Sequence, residues 1–136
     1  MNHTTATAAE VFERAMPALR DGKLDGLLDQ CTVDVVFEFP FAPSGRPRRL
    51  EGRDAVRNYL AQIYAHIHIE RVEQLTIHQT VAPTVAIAEF TAAVRAGEAN
   101  AVVSASYVAV VTIRDGLISH YRDYWNPLAL ASDDKR

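Results

Sequence analysis

A series of strand-like runs fills the second half of the chain and constrains its fold more than any other feature. The runs are rich in β-branched and aromatic residues, as strands are, and lie at Ile69–Ile77, Thr84–Arg95, Ala99–Ile113 and Ile118–Leu128. Only short turn-forming segments separate them, at Ala82-Pro83, Gly97-Glu98 and Arg114-Asp115-Gly116. Because tight turns join strands that run in opposite directions, the sequence predicts an antiparallel sheet.

The first half of the chain has mainly helical periodicity. Three helices are predicted, at Thr7–Leu19, from Leu24 to about Cys31, and at Asp54–His66. Between them, Val33–Phe39 alternates as a strand, with Val35, Phe37 and Phe39 on one face. Helices followed by closely connected strands indicate an α+β fold with its helices on one side of the sheet.

The length of 136 residues indicates one domain, spanning 1–136 with a core over about 8–130. The net charge of −3 gives no basic surface for nucleic acid. No apolar run reaches the ~18 residues of a membrane span, and the N-terminus does not resemble a signal peptide. We therefore expect no nucleic-acid or membrane partner and a cytoplasmic protein. The single Cys31 has no second thiol with which to bind a metal, and we expect neither a metal nor a cofactor.

The segment Phe41–Gly52 is predicted to be a loop, because it contains prolines and glycines and follows Pro40 directly. Its composition fits a mobile lid over a pocket, and it fits a plain surface connection equally well. The sequence leaves both interpretations open.

The last strand carries the main functional signal. Strand alternation puts Tyr121, Asp123 and Trp125 on one face. Since a buried ionised carboxylate is costly, an inward Asp123 is paired, exposed to an internal cavity, or active in proton transfer. The structural alternatives are an ion pair with Arg95 or Arg122, or hydrogen bonds from tyrosine and tryptophan donors.

The order of elements and four segments resemble the nuclear transport factor 2-like superfamily, and within it the SnoaL-like group, which includes polyketide cyclase and ketosteroid isomerase-like proteins. The segments are Asp21–Leu27, Phe37–Pro40, Glu51–Val56 and Tyr121–Leu128. The resemblance covers about Ala8 to Leu130. It implies a cone-shaped, curved antiparallel or mixed sheet wrapped around three helices, with a deep apolar cavity.

The same resemblance places an acid at Asp123. In limonene-epoxide hydrolase relatives a similar aromatic-rich run carries a catalytic aspartate there, and phenazine-biosynthesis A/B relatives have a functional glutamate. Other family residues are replaced in this chain. Phe90 and Ala92 occupy the positions of the hydrolase's Arg and Asp partners, and Phe39 occupies that of the isomerase's base. We therefore expect neither of those two mechanisms.

The predicted cavity combines an acid with an apolar and aromatic lining, which suits a flat or cyclic organic ligand. We predict Asp123, His66 and Tyr107 as candidate catalytic residues, although His66 and His68 more often serve only a helix terminus. The predicted substrate-binding residues are Phe37, Phe39, Leu60, Tyr64, Phe90, Tyr121 and Trp125. Strict alternation adds Val35, Val103 and Ala105 to the lining.

Two functions fit this pattern. One is a cofactor-free isomerase, cyclase or dehydratase-like enzyme of secondary metabolism that moves a proton on a hydrophobic cyclic or polyketide-like substrate. The other is a non-catalytic binding protein for a small apolar or aromatic molecule. A mixed outer sheet face, with Glu38, Ser104 and Ser106 beside Val102, Val108 and Val110, predicts a homodimer.

Overall fold

Three helices and six strands make up the computed structural model, which describes residues 6–96 and 101–128. The helices are α1 (Ala8–Asp21), α2 (Leu24–Asp29) and α3 (Arg53–Tyr64). The strands are β1 (Cys31–Glu38), β2 (Arg49–Glu51), β3 (Ile67–Gln79), β4 (Val85–Ala96), β5 (Ala101–Arg114) and β6 (Leu117–Trp125). The predicted α+β class is confirmed. Ala99, where the fifth strand was predicted to begin, lies outside the described residues.

The six strands form one mixed sheet in the order β2-β1-β6-β5-β4-β3. Neighbouring strands pair antiparallel except β1 and β6, which run parallel and place Phe37 opposite Tyr121. The first and last long strands therefore lie side by side. This pairing brings residues far apart in the sequence to one part of the sheet.

Helix α1 has well-defined ends. Thr7 caps its start, because the Thr7 hydroxyl accepts from the Glu10 backbone N–H while the Glu10 carboxylate accepts from the Thr7 N–H. Pro17 lies inside the helix, which continues to Asp21. Gly22 then ends it in the left-handed conformation, with φ of 69°, where glycine is favoured.

The structure corrects three sequence-based boundaries. The end of the predicted loop 41–52 forms strand β2, which pairs with β1. The third helix was predicted to run to His66, but α3 stops at Tyr64 and β3 already begins at Ile67. Strand β6 ends at Trp125 rather than Leu128, because Asn126 and Pro127 leave the sheet.

The long edge strand β3 is irregular. Its register with β4 shifts between Ile69 and Arg71 and again between Glu73 and Thr76, around Gln74 with a φ of 55°. Bulges of this kind bend a strand and increase its twist. Helix α1 packs across β3 to β6, while α3 packs against β1, β2 and β3.

The core lies between these helices and one face of the sheet. It contains Val11 and Phe12 of α1, Val35 and Phe37 of β1, and Val56 of α3, each at most 2% exposed. In the described part of the chain, no helix is long and apolar enough to cross a membrane.

Candidate active site

An internal cavity of about 100 Å³ lies between the helices and the sheet. Eight predicted site residues line it: Phe37, Phe39, Leu60, Tyr64, Phe90, Tyr107, Tyr121 and Asp123. Leu19, Ile67 and Ile69 complete the described lining. The cavity is therefore mainly apolar and aromatic, with Asp123 as the only carboxyl among the described lining residues.

Two stacked aromatic pairs form part of its wall. Phe37 and Tyr121 have ring centroids 4.8 Å apart and planes at 10°, and Phe90 and Tyr107 have centroids 5.1 Å apart and planes at 15°. Each pair consists of direct cross-strand neighbours, in β1–β6 and β4–β5 respectively. Sheet register thus fixes both rings of each pair, which makes the wall rigid.

Asp123 reaches this cavity from β6, where its cross-strand neighbour in β5 is the fully buried Ala109. The small methyl group of Ala109 leaves space beside the carboxyl. The Asp123 Oδ1 atom is buried and has no hydrogen-bond partner among the described residues. Burial in these apolar surroundings raises the pKa of Asp123 from 3.8 to about 7.

Three tyrosines share the cavity with this carboxyl. Burial, and then the charge of Asp123, raise the pKa of Tyr64 to about 12 and raise the pKa of Tyr107 and Tyr121 well above the ordinary value of 10. All three therefore stay protonated at neutral pH. The Tyr64 hydroxyl donates to the Leu19 carbonyl at 2.7 Å. The Tyr107 and Tyr121 hydroxyls have no such partner among the described residues, so they are available as donors to a ligand.

The alternative of a structural ion pair at Asp123 finds no support. Arg95 donates to Glu70 Oε2 at 2.7 Å. Arg122 is the sequence neighbour of Asp123 and therefore points to the opposite face of β6. The carboxyl faces the cavity without a described cationic partner.

Two predicted site residues, His66 and Trp125, do not line this cavity. His66 follows the end of α3, where its N–H donates to the Ile63 carbonyl at 3.0 Å, and its side chain is exposed. Alternation then turns Ile67 and Ile69 inward and His68 outward. Neither histidine lines the cavity.

Trp125 also lies outside the cavity lining. It is half-buried at the end of β6, packs against the main core, and borders an outer groove with Phe41, Tyr124 and the cavity residue Tyr107. Val103 and Ala105, which strict alternation assigned to the lining, belong instead to a second apolar cluster with Ala92 and Val94. Val35 is in the main core. Alternation predicted the correct face of each strand but not how far the cavity extends along it.

Sequence reasoning missed three lining residues, namely Leu19, Ile67 and Ile69. Leu19 was placed on the apolar face of the first helix without being assigned to the cavity. Ile67 was left out of the predicted strand, which was expected to begin only at Ile69. The alternation of Ile67 and Ile69 with His66 and His68 is the signal that identifies the inward face of β3.

The segment Phe41–Gly52 contributes no residue to the described cavity lining. Phe41 packs edge-on against Tyr124, with centroids 5.4 Å apart. The Phe39 N–H donates to the Arg48 carbonyl at 2.9 Å, which ties the base of the segment to β1. These contacts favour a surface connection over a lid.

Polar groups on the outer sheet face pair with one another. His120 Nε2 lies 2.6 Å from Glu38 Oε1, and Arg49 donates to Glu38 Oε2 at 3.3 Å. On the same face, towards the β3 edge of the sheet, His78 Nε2 lies 2.7 Å from Glu89 Oε2. Both histidines point outward. No cluster of three or more His, Cys, Asp or Glu that could hold a metal ion occurs in residues 6–96 and 101–128.

Comparisons with known proteins fit this architecture. The SnoaL-like domain model matches residues 12–121. YesE, an uncharacterised protein of Bacillus subtilis, is 32% identical over 90% of this chain and 84% of its own length. An uncharacterised PhzA/B-like protein of Pseudomonas aeruginosa is also 32% identical, over 89% of this chain and 85% of its own.

A solved structure from Bacillus subtilis, provisionally named an isomerase, has a TM-score of 0.86 and 31% identity, covering 94% of this chain and 92% of its own. A solved structure from Pseudomonas putida, provisionally named a polyketide cyclase, has a TM-score of 0.79 at 19% identity, covering 93% and 96%. The second likeness concerns the fold alone. On the family match and the two relatives, the chain belongs to the SnoaL-like domain family, and its fold is that of nuclear transport factor 2-like proteins.

Proposed function

We propose that this protein is a cofactor-free acid–base catalyst that moves a proton on a hydrophobic cyclic substrate, as an isomerase, cyclase or dehydratase does. Its scaffold is of the isomerase and cyclase type. The observation that carries the proposal is Asp123, a carboxyl with a pKa of about 7 in an apolar cavity. A general base or acid works best when its pKa is near the operating pH.

The proposed reaction needs only groups of this chain. The ionised Asp123 takes a proton from the carbon next to a substrate carbonyl, and the carbonyl becomes an enolate. The Tyr107 hydroxyl, with Tyr121 as a second donor, stabilises the enolate oxygen by hydrogen bonding. The protonated Asp123 then returns the proton to another carbon, so the double bond moves and no oxidant or reductant is needed.

The cavity residues divide into two roles in this proposal. Asp123 and Tyr107 perform the chemistry, and His66 is withdrawn from the catalytic group because it is exposed outside the cavity. Phe37, Phe39, Leu60, Phe90 and the ring of Tyr121 hold the apolar part of the substrate. Because no cationic side chain among the described residues pairs with Asp123, its pKa stays raised until a ligand binds.

Proton exchange tests the proposal without knowledge of the natural substrate. Cyclohex-2-enone in D2O would be followed by NMR for enzyme-dependent deuterium incorporation beside the carbonyl. We expect exchange with the wild-type protein, rising as the pH passes through about 7, where Asp123 ionises. We expect the loss of this exchange in Asp123→Asn, with the Asp34→Asn protein as a control because Asp34 is exposed and paired with Arg114. Exchange that persists in Asp123→Asn would refute catalysis through this carboxyl.

The second candidate is a non-catalytic binding protein for a small apolar or aromatic molecule. It is favoured by the absence of a second carboxyl or a histidine among the described lining residues. Measuring both proton exchange and ligand affinity in Asp123→Asn separates the two functions. Under the binding hypothesis, the wild-type protein binds cyclic probes but shows no exchange at any pH.

We also propose that the protein forms a homodimer through the outer sheet face, acts in secondary metabolism and is located in the cytoplasm. The outer face exposes Val102 (45%) and Val108 (37%), which a second copy would cover. Sedimentation at micromolar concentration would test the assembly, and a monomer there would refute it. Val108→Lys, which places a charge on this face, should weaken a dimer.

A further inference from the structure

A second recess lies beside the cavity and shares part of its wall. It has a volume of about 130 Å³ and is lined by Tyr64, Ile67 and Ile69, which also line the inner cavity, together with Arg20, Asp21, Gly22 and His68. The inner cavity is apolar and the outer recess is polar. The three shared residues therefore form a partition between two chambers.

Tyr64 is held in this partition from two sides. Its hydroxyl donates to the Leu19 carbonyl at 2.7 Å, which ties the last residue of α3 to the last turn of α1. Its ring lies against Gly22, where an added Cβ would be 3.3 Å from Tyr64 Cδ1. The ring thus occupies one position because a backbone carbonyl and a glycine fix it.

The volume of the inner chamber limits what it can hold. At about 100 Å³ it is smaller than the ~150 Å³ apolar cavity that takes one benzene molecule. Modest relaxation of the walls would admit a single ring, whereas two fused rings need the space on the far side of Tyr64. No Lys, Arg or His is among the described lining residues, and an anionic ring would meet Asp123 without a counter-ion.

We propose that Tyr64 is a size-determining residue, which separates the inner chamber from the outer recess and restricts the ligand of the inner chamber to one uncharged ring. This inference rests on the proposed function in taking the inner chamber as the substrate site. It narrows the substrate class from hydrophobic cyclic or polyketide-like molecules to single-ring ones.

The test compares one-ring and two-ring probes. Phenol and 2-naphthol are both uncharged at pH 7, and 2-naphthol is the more hydrophobic, so a site without a size limit binds 2-naphthol more tightly. We expect the wild-type protein to prefer phenol by calorimetry. In Tyr64→Ala the two chambers join, and the affinity for 2-naphthol relative to phenol should rise by about tenfold or more, equivalent to roughly 1.4 kcal/mol. Tyr64→Phe, which keeps the ring and loses the bond to Leu19, should show a smaller rise.

A second variant covers the case in which Tyr64→Ala does not fold. Ile69→Ala enlarges the same partition from β3 and should change the preference in the same direction. A wild-type preference for 2-naphthol, an unchanged preference in the folded variants, or no binding of either probe would overturn the inference. If benzoate bound as tightly as phenol, the restriction to uncharged ligands would be overturned. Because these are binding measurements, they stand apart from the exchange assay, whose failure would remove the catalysis and leave the size limit in place.

Discussion

Phe37 and Tyr121 stack almost in parallel, with ring centroids 4.8 Å apart, although 84 positions separate them in the sequence. They are direct neighbours on the parallel pair of β1 and β6. The first long strand therefore holds a tyrosine of the last strand in place beside Asp123. Formation of the site therefore requires this pairing between strands that are far apart in the sequence.

Replacing Phe37 by Leu should destabilise the protein, because it removes the stacked ring and leaves a partial cavity at a residue that is 2% exposed. We expect the free energy of unfolding to fall by about 1–3 kcal/mol. Urea denaturation measures this change. Phe41→Leu is the matched control, since Phe41 is 58% exposed and only meets Tyr124 edge-on. Equal losses at the two positions would contradict a structural role for the Phe37–Tyr121 stack.

The pH dependence of stability should reveal Asp123. Its folded-state pKa of about 7 exceeds the 3.8 of an exposed aspartate, so the folded state binds the proton more tightly. The resulting stability is fully present below pH 4 and is lost as the pH rises through about 7. A gap of about three pKa units corresponds to roughly 4 kcal/mol.

Asp123→Asn has no carboxyl to ionise at this position, so it should not lose stability in this way as the pH rises. The difference in unfolding free energy between Asp123→Asn and the wild type should therefore grow in favour of the variant from pH 4 to pH 7. Denaturation at several pH values measures it. Asp34→Asn is the control, because the hydrogen bond from Arg114 holds the pKa of Asp34 below its usual range. This variant should not show the same pH-dependent difference in unfolding free energy from the wild type. A difference that is constant with pH would show that Asp123 is not desolvated in solution.

Tyr107→Phe tests the proposed hydrogen-bond donor. The substitution keeps the ring stacked on Phe90 and removes only a hydroxyl that has no partner among the described residues. Loss of one donor to a developing enolate should slow proton exchange by about 100-fold, with little change in stability. The control is Tyr59→Phe, because Tyr59 packs on Phe39 but does not line the cavity. If the two variants exchanged at the same rate, Tyr107 would have no part in the reaction.

His66→Ala should leave both activity and stability nearly unchanged. The side chain is exposed and outside the cavity lining, so we expect a stability change within about 0.5 kcal/mol. The exchange assay and thermal denaturation together check this. A large loss of exchange with an unchanged fold would return His66 to the catalytic group.

The sequence allowed the face of the candidate site to be predicted because strand geometry has a fixed period of two. That rule correctly placed Tyr121 and Asp123 inward. It could not show how deep each position lies, which depends on sheet pairing and on where the helices end. Trp125 follows the same alternation, yet it lies outside the cavity. Ile67 was not predicted as a strand residue, because its spacing continues the helical spacing of α3.

Gly22 offers a test of the Tyr64 position that does not alter Tyr64 itself. Alanine at a positive φ costs roughly 1 kcal/mol, and Gly45→Ala measures that backbone cost alone because no atom lies within 4 Å of its added Cβ. At Gly22 the added Cβ also meets the Tyr64 ring at 3.3 Å. Gly22→Ala should therefore lose about 1 kcal/mol more than Gly45→Ala, as measured by denaturation. Since the ring must move to accept the methyl group, the preference between phenol and 2-naphthol should change as well. Equal losses with an unchanged preference would mean that Gly22 does not hold the partition.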